Sequence, residues 1–200
     1  MSWLFGIIDP AVSSNTVRRC QNVHDPDCYH YLNEGEYYIA CGGNRQTCFS
    51  GETAYEKSFW IGLGILFQSR ESQSSIYTHE EWETIAQNTG HLKGKNGHYI
   101  FLKHGNTNFE IKTDALGLRT IYWHQKGKKI VISTRLDWIS TYLNGAEIDF
   151  QNLGSRWILF NQLTYDSLLK NIHRLGPGGT LTINNGTVKS FDNAFTPPRN

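Results

Sequence analysis

Ile111-Lys112-Thr113-Asp114-Ala115-Leu116-Gly117-Leu118-Arg119-Thr120-Ile121-Tyr122-Trp123 is the stretch on which the reading of this chain turns. Strand-like runs lie on both sides of it, and Asp114 and Gly117 are turn formers. The stretch is therefore expected to join two strands of one sheet. Asp114 and Arg119 have two readings. They are a carboxylate and a cation of a site, or they fix the turn by hydrogen bonding and pairing.

Working outward, the pattern predicts more strands. His98 to Lys103 and Asn108 to Thr113 flank the turn His104-Gly105-Asn106, and Thr120 to His124 and Lys129 to Ser133 flank Lys126-Gly127. Gly179 to Ile183 and Thr187 to Phe191 make a last hairpin around Asn184-Asn185-Gly186. Trp3 to Asp9, Glu36 to Cys41 and the apolar run Ser58 to Phe67 are further strands, the last buried on both faces.

Helices are fewer. Thr78 with Glu81 three residues on forms a capping box, and Trp82 and Ile85 share a face before Asn88-Thr89-Gly90. Leu136 to Leu143 is a short helix stopped by Asn144-Gly145. Phe150 to Phe160 is another, capped by Asp149 with Leu153, Trp157 and Phe160 on one face, and Ser167 to Ile172 adds a turn of helix. Residues 11–35 read as loop or irregular helix. Many strands joined by hairpins, with helices between strand groups, predict an α+β fold of stacked antiparallel sheets flanked by helices.

Two hundred residues suit one domain, able to bury roughly 70% of its unfolded surface. The domain is read as residues 1–192, with 193–200 a tail or linker of Pro-Pro composition. A formal charge of +1 gives no bulk field for nucleic acid or an anionic membrane. No run of about 18 apolar residues suggests a membrane helix, and the start lacks a signal peptide's basic region, so a cytoplasmic location is expected. Cys20, Cys28, Cys41 and Cys48 cluster with His24 and His30, but without a Cys-x-x-Cys pair, so free thiols are expected rather than a metal site. Gly176-Pro177-Gly178-Gly179 reads as a turn, not a phosphate loop. No cofactor is expected.

Four segments, in order, resemble the glutamine amidotransferase domain of asparagine synthetases, a class II domain with the N-terminal nucleophile hydrolase fold. They are Ser2-Trp3-Leu4-Phe5-Gly6-Ile7, Asp114 to Tyr122, Ile130 to Leu136 and His173 to Leu181. The resemblance implies an α/β/β/α sandwich. It also implies a nucleophile at residue 2, activated by its own α-amine once Met1 is removed. The family uses Cys there, and this chain has Ser2. The family's oxyanion-hole Asn-Gly falls at Leu63-Gly64, where only Gly64 is kept, and the Glu that holds the substrate's amino group falls at Ile65. Losing one oxyanion donor costs about 10²–10³ in rate. The glutamine-binding Arg falls near Arg45, and the family's Asp near His79 or Glu80. Glu80-Glu81 at a helix start also suit the helix dipole.

The expectation is a degenerate domain without glutaminase activity. It would act as scaffold or partner for an ATP-pyrophosphatase synthetase domain or subunit. The alternative is an active amidohydrolase that uses Ser2 on an amide other than glutamine, with Leu63 and Ile65 lining a less polar pocket.

Overall fold

The computed structural model describes residues 1–33, 35–52, 58–70, 73–88, 92, 95–105, 108–159 and 166–192. The predicted tail 193–200, the helix end at Thr89-Gly90, Asn106, Phe160, and the side chains of His30 and Trp157 lie outside the described residues. The chain divides into two compact units.

The first unit comprises residues 1–2, 43–120 and 176–200. Its sheet runs β13-β12-β8-β7-β5-β4, with β6 paired to β5, and every pairing is antiparallel. The strands are β4 (Cys48–Glu52), β5 (Phe59–Arg70), β6 (Gln73–Ile76), β7 (Asn96–Gly105), β8 (Asn108–Thr113), β12 (Thr180–Asn184) and β13 (Thr187–Asp192). β5 is the run predicted to be buried on both faces, and residues 58–64 are buried without interruption. One face of the sheet packs on α2 (His79–Gln87), where Trp82 and Ile85 join Trp60, Leu66, Tyr99 and Phe101 in one cluster. Trp82 stacks on Phe101 with centroids 6.1 Å apart, and Gly62 leaves the room its ring needs. Glu81 reaches back to accept from the Thr78 backbone N–H at 2.7 Å.

The second unit comprises residues 3–42 and 121–175. Its antiparallel sheet runs β11-β9-β10-β1-β3-β2. These strands are β1 (Trp3–Ile8), β2 (Cys28–Asn33), β3 (Tyr37–Gly42), β9 (Ile121–Lys126), β10 (Lys129–Ser133) and β11 (His173–Leu175). β1 is apolar throughout and fully buried, as suits a strand paired on both edges. At Gly6 an added Cβ would meet Ile39 Cδ1 at 2.4 Å and Ile132 at 3.1 Å, so the missing side chain is what lets these isoleucines close over the strand. Trp3, Phe5 and Ile7 form one core with Cys20 of α1 (Ser14–Gln21) and with Trp138, Ile139 and Tyr142 of α3 (Leu136–Tyr142). Asp149 caps α4 (Phe150–Leu159) by accepting from the Gln151 and Asn152 N–H groups at 3.0 Å.

Several expectations are corrected. The deciding stretch joins two sheets rather than two strands of one, because β8 belongs to the seven-stranded sheet and β9 to the six-stranded one. Residues 11–35 hold α1 and β2. The helix is short, with little apolar periodicity, and its start rests on the Ser13 cap; β2 takes its order from pairing with β3 along its full length. β4, β6 and β11 were not foreseen. Residues 167–172 are a turn, not a helix: Ser167 N–H reaches Ile172 O, and Asn171 takes φ 60°.

Candidate active site

The turn after β8 is held by one carboxylate. Asp114 has no exposed surface. Its Oδ1 accepts from the Leu116 and Leu118 N–H groups at 3.1 and 3.0 Å, and its Oδ2 from Arg119 N–H at 3.0 Å. Its carbonyl takes Gly117 N–H at 3.0 Å and Gly178 N–H at 2.7 Å. Gly117 has φ 62°, and a Cβ there would sit 2.9 Å from Pro177. Asp114 is thus structural, as one of its two readings had it.

Arg119 is not spent on Asp114. Its Nη2 donates to Ser2 Oγ at 2.7 Å and also to the Ser2 carbonyl. The residue is 7% exposed, and its Nε has no hydrogen-bond partner among the described residues. Burial pushes its pKa down, opposed by the nearby side-chain charges of Cys48 and Asp114.

Ser2 itself is 3% exposed, whereas Met1 is 94% exposed. Its neighbour on the other side is the 3-10 turn Arg45–Thr47, capped by Asn44, whose side chain accepts from Gln46 N–H. Thr47 Oγ1 donates towards Ser2 Oγ and towards Asn44 O, each at 3.2 Å, so one proton serves both acceptors. Gly43, with φ 97°, lies against the same corner: a Cβ would come within 2.3 Å of Met1 O. Only glycine fits there.

Of the other residues predicted for a site, Gly64 sits on β5 with φ 109°, and a Cβ would lie 2.0 Å from His98 O. Its neighbour Leu63 pairs with Cys48, the residue after Thr47, which puts this part of β5 beside the Ser2 corner. Leu63 is fully buried and Ile65 half-buried. Arg45 shares the 3-10 turn with Thr47 but is exposed. His79 is not at this corner in its bonding: its Nε2 pairs with Ser50 O at 3.1 Å, and its ring packs against Trp60 and Phe49. Glu80 is exposed in the first turn of α2.

Cys20 and Cys41 are buried thiols and Cys28 and Cys48 half-buried ones, and none of the four is in a disulfide among the described residues. Burial raises the Cys20 pKa to about 12 and the Cys28 pKa to about 11. Among the described residues no group of three His, Cys, Asp or Glu side chains could hold a metal ion. No helix among them is long and apolar enough to cross a membrane.

Sequence reasoning placed Ser2 and Gly64 near each other but missed Thr47, Cys48 and the reach of Arg119 to the hydroxyl. The available signal was Arg119 itself, a lone cation between Leu118 and Thr120, two residues before β9.

No protein-family model matches this chain. No curated protein matches it either. Solved structures do. Glutamine phosphoribosylpyrophosphate amidotransferase from B. subtilis, complexed with ADP and GMP, superposes with a TM-score of 0.59 at 13% identity over 95% of this chain and 48% of that one. An allosteric regulatory enzyme of purine biosynthesis gives a TM-score of 0.55 at 14% identity over the same shares. The chain therefore spans about half the length of the structures it matches. At this identity the likeness is one of fold alone, shared with about half of each of these structures.

Proposed function

We propose that this chain is a glutamine amidotransferase-like domain, related to that of asparagine synthetases and of the α/β/β/α sandwich type, that has lost glutaminase activity. It serves as scaffold or partner for an ATP-dependent amide-forming synthetase in the cytoplasm. The observation that carries this reading is the state of Ser2 Oγ. A serine hydroxyl has two acceptor lone pairs. Here the oxygen accepts from Arg119 Nη2 and from Thr47 Oγ1, in a corner almost without exposed surface. An attacking oxygen needs a lone pair for the substrate carbon and a base for its proton. With Met1 in place the Ser2 nitrogen is an amide and cannot be that base. Were the amine freed, a guanidinium bonded to the same residue would oppose its protonation.

The oxyanion side supports the same conclusion. At the position of the family's Asn the chain has Leu63, whose side chain has no donor and which has no exposed surface. The half-length match to larger enzymes is consistent with a domain that acts beside another.

The direct test is ammonia release from glutamine by the intact protein and by Ser2→Ala. Equal background rates are expected. Ammonia production that the substitution abolishes overturns the proposal. Intact-mass measurement adds a discriminator, because retained Met1 also rules out the alternative amidohydrolase. For the partner role, co-purification with an ATP-dependent ligase is expected.

A further inference from the structure

We propose that the Arg119 guanidinium beside Ser2 is a binding site for a small oxyanion, a carboxylate or a phosphate. The inference rests on the reading of Ser2 as a hydroxyl that does not attack, and it gives the corner a ligand in place of a reaction.

Arginine stays charged at any ordinary pH and carries five N–H donors. Arg119 uses only Nη2, on the Ser2 carbonyl and hydroxyl, both of them neutral acceptors. Its Nε is buried without a hydrogen-bond partner, and Nη1 has none among the described residues. None of the ion pairs among those residues includes Arg119. A cation that is 7% exposed is thus left with donors unused and no counter-charge in contact. Buried charges are ordinarily paired, because burial strips away the water that would solvate them.

The carboxylate nearest in sequence does not fill the gap. Asp114 commits its oxygens to the Leu116, Leu118 and Arg119 backbone N–H groups instead. Asp114 and Cys48 act on the guanidinium through their fields, and burial outweighs both. One oxygen of an arriving carboxylate or phosphate would accept from Nε–H, in the charge-assisted bond that neither Ser2 nor Asp114 supplies.

The surroundings suit a small anion. Arg45 lies on the 3-10 turn that carries Thr47, and the chain's N-terminus is one residue from Ser2. Each member of the corner adjoins an exposed segment: Arg119 follows Leu118, Ser2 follows Met1, and half-buried Thr47 follows residues 43–46. The guanidinium therefore lies just inside the surface, within reach of a ligand of few atoms.

The test is a titration of the full chain followed by proton–nitrogen NMR, which records arginine Nε–H groups directly. The Arg119 signal is assigned through its side-chain carbons. Acetate and inorganic phosphate are added at constant ionic strength against chloride, with acetamide as the neutral isostere of acetate. At least one oxyanion is expected to shift the Arg119 Nε–H signal saturably, with a Kd of about 10 mM or tighter, and acetamide to act about tenfold or more weakly. Acetate against phosphate tells which oxyanion is preferred. Arg119→Lys keeps the charge but not the guanidinium. In it, the accompanying shifts of the Leu118 and Thr120 backbone N–H signals are expected to need about tenfold more anion. Ser2→Ala leaves the unused donors in place and is expected to keep the binding. An Nε–H signal that answers neither oxyanion, or answers chloride or acetamide as strongly, overturns the proposal. So does undiminished binding in Arg119→Lys, or lost binding in Ser2→Ala. Ammonia release abolished by Ser2→Ala would instead overturn the loss of glutaminase activity, so the two readings fail separately.

Discussion

The Ser2 corner and the histidines His124 of β9 and His173 of β11 are built on opposite plans. Around Ser2 the acceptors are spent on neighbouring donors: the hydroxyl accepts from two, the Asp114 carboxylate near by accepts from three, and Arg119 Nε is left over among the described residues. On β9 and β11 each histidine uses Nδ1 to set its pose, His124 on Asn171 O and His173 on Asp166 Oδ1, each at 2.8 Å, and keeps Nε2 without a partner among the described residues. Hydrogen-bonding capacity left over, rather than likeness to a known site, is what marks a place able to act on another molecule. At the corner to which the sequence resemblance points, the Ser2 hydroxyl has no such capacity left as an acceptor.

Four experiments break or sharpen that contrast. Asp114→Ala leaves three N–H groups without their acceptor, one buried and two part-buried, at about 1–3 kcal/mol for a buried one and less for the others, so a loss of about 3 kcal/mol is expected in urea unfolding. A loss under about 1 kcal/mol would mean that the corner is not held by this carboxylate. Gly64→Ala puts a methyl against His98 O and forces φ 109° on alanine. About 2–3 kcal/mol of destabilisation is expected by the same method.

Third, thiol labelling at pH 8 probes how closed the second unit's interior is. Raising the Cys28 pKa to about 11 cuts its thiolate fraction about a hundredfold relative to the ordinary 9.0. The more basic thiolate is more nucleophilic, which returns part of that, so labelling about tenfold slower than a free cysteine is expected. Ordinary rates would show an interior that opens readily.

The smallest effect concerns His24, a histidine with both nitrogens engaged: Nδ1 with Asp25 O at 2.7 Å and Nε2 with Tyr38 Oη at 2.6 Å. Burial holds its pKa below the ordinary value, while its partnership with Asp25 pulls the other way. The unfolded chain therefore takes up the proton first as pH falls below about 6.5. Stability is complete above that value and declines beneath it until the folded-state pKa is reached. The urea midpoint measured between pH 7 and 5 is expected to fall, and to fall less in His24→Gln. An unchanged slope in the variant would assign the decline to other groups.

Much of this was legible in the chain. The apolar runs of β1 and β5, the Thr78–Glu81 box and the Asp149 cap each carry a local signal that the structure keeps. The strands that escaped, β2, β4, β6 and β11, are short or lie at sheet edges, where pairing rather than composition makes the strand. The junction at Asp114 was read as a turn, correctly, but its change of sheet is a tertiary fact that local pattern does not encode. For the same reason Ser2 and Arg119 each stood out singly, while the meeting of Arg119 and Thr47 at the Ser2 hydroxyl did not. They come to it from more than forty residues away, and no spacing announces them.

β5 pairs with β4, β6 and β7, and it is the longest strand of its sheet. Three ladders therefore share one backbone. Its amides cannot open to solvent singly without dismantling neighbours, so the first unit should exchange deuterium as a cooperative block. The slowest hydrogens of that unit belong between Phe59 and Leu66, which gives a probe of its global unfolding that requires no ligand or activity.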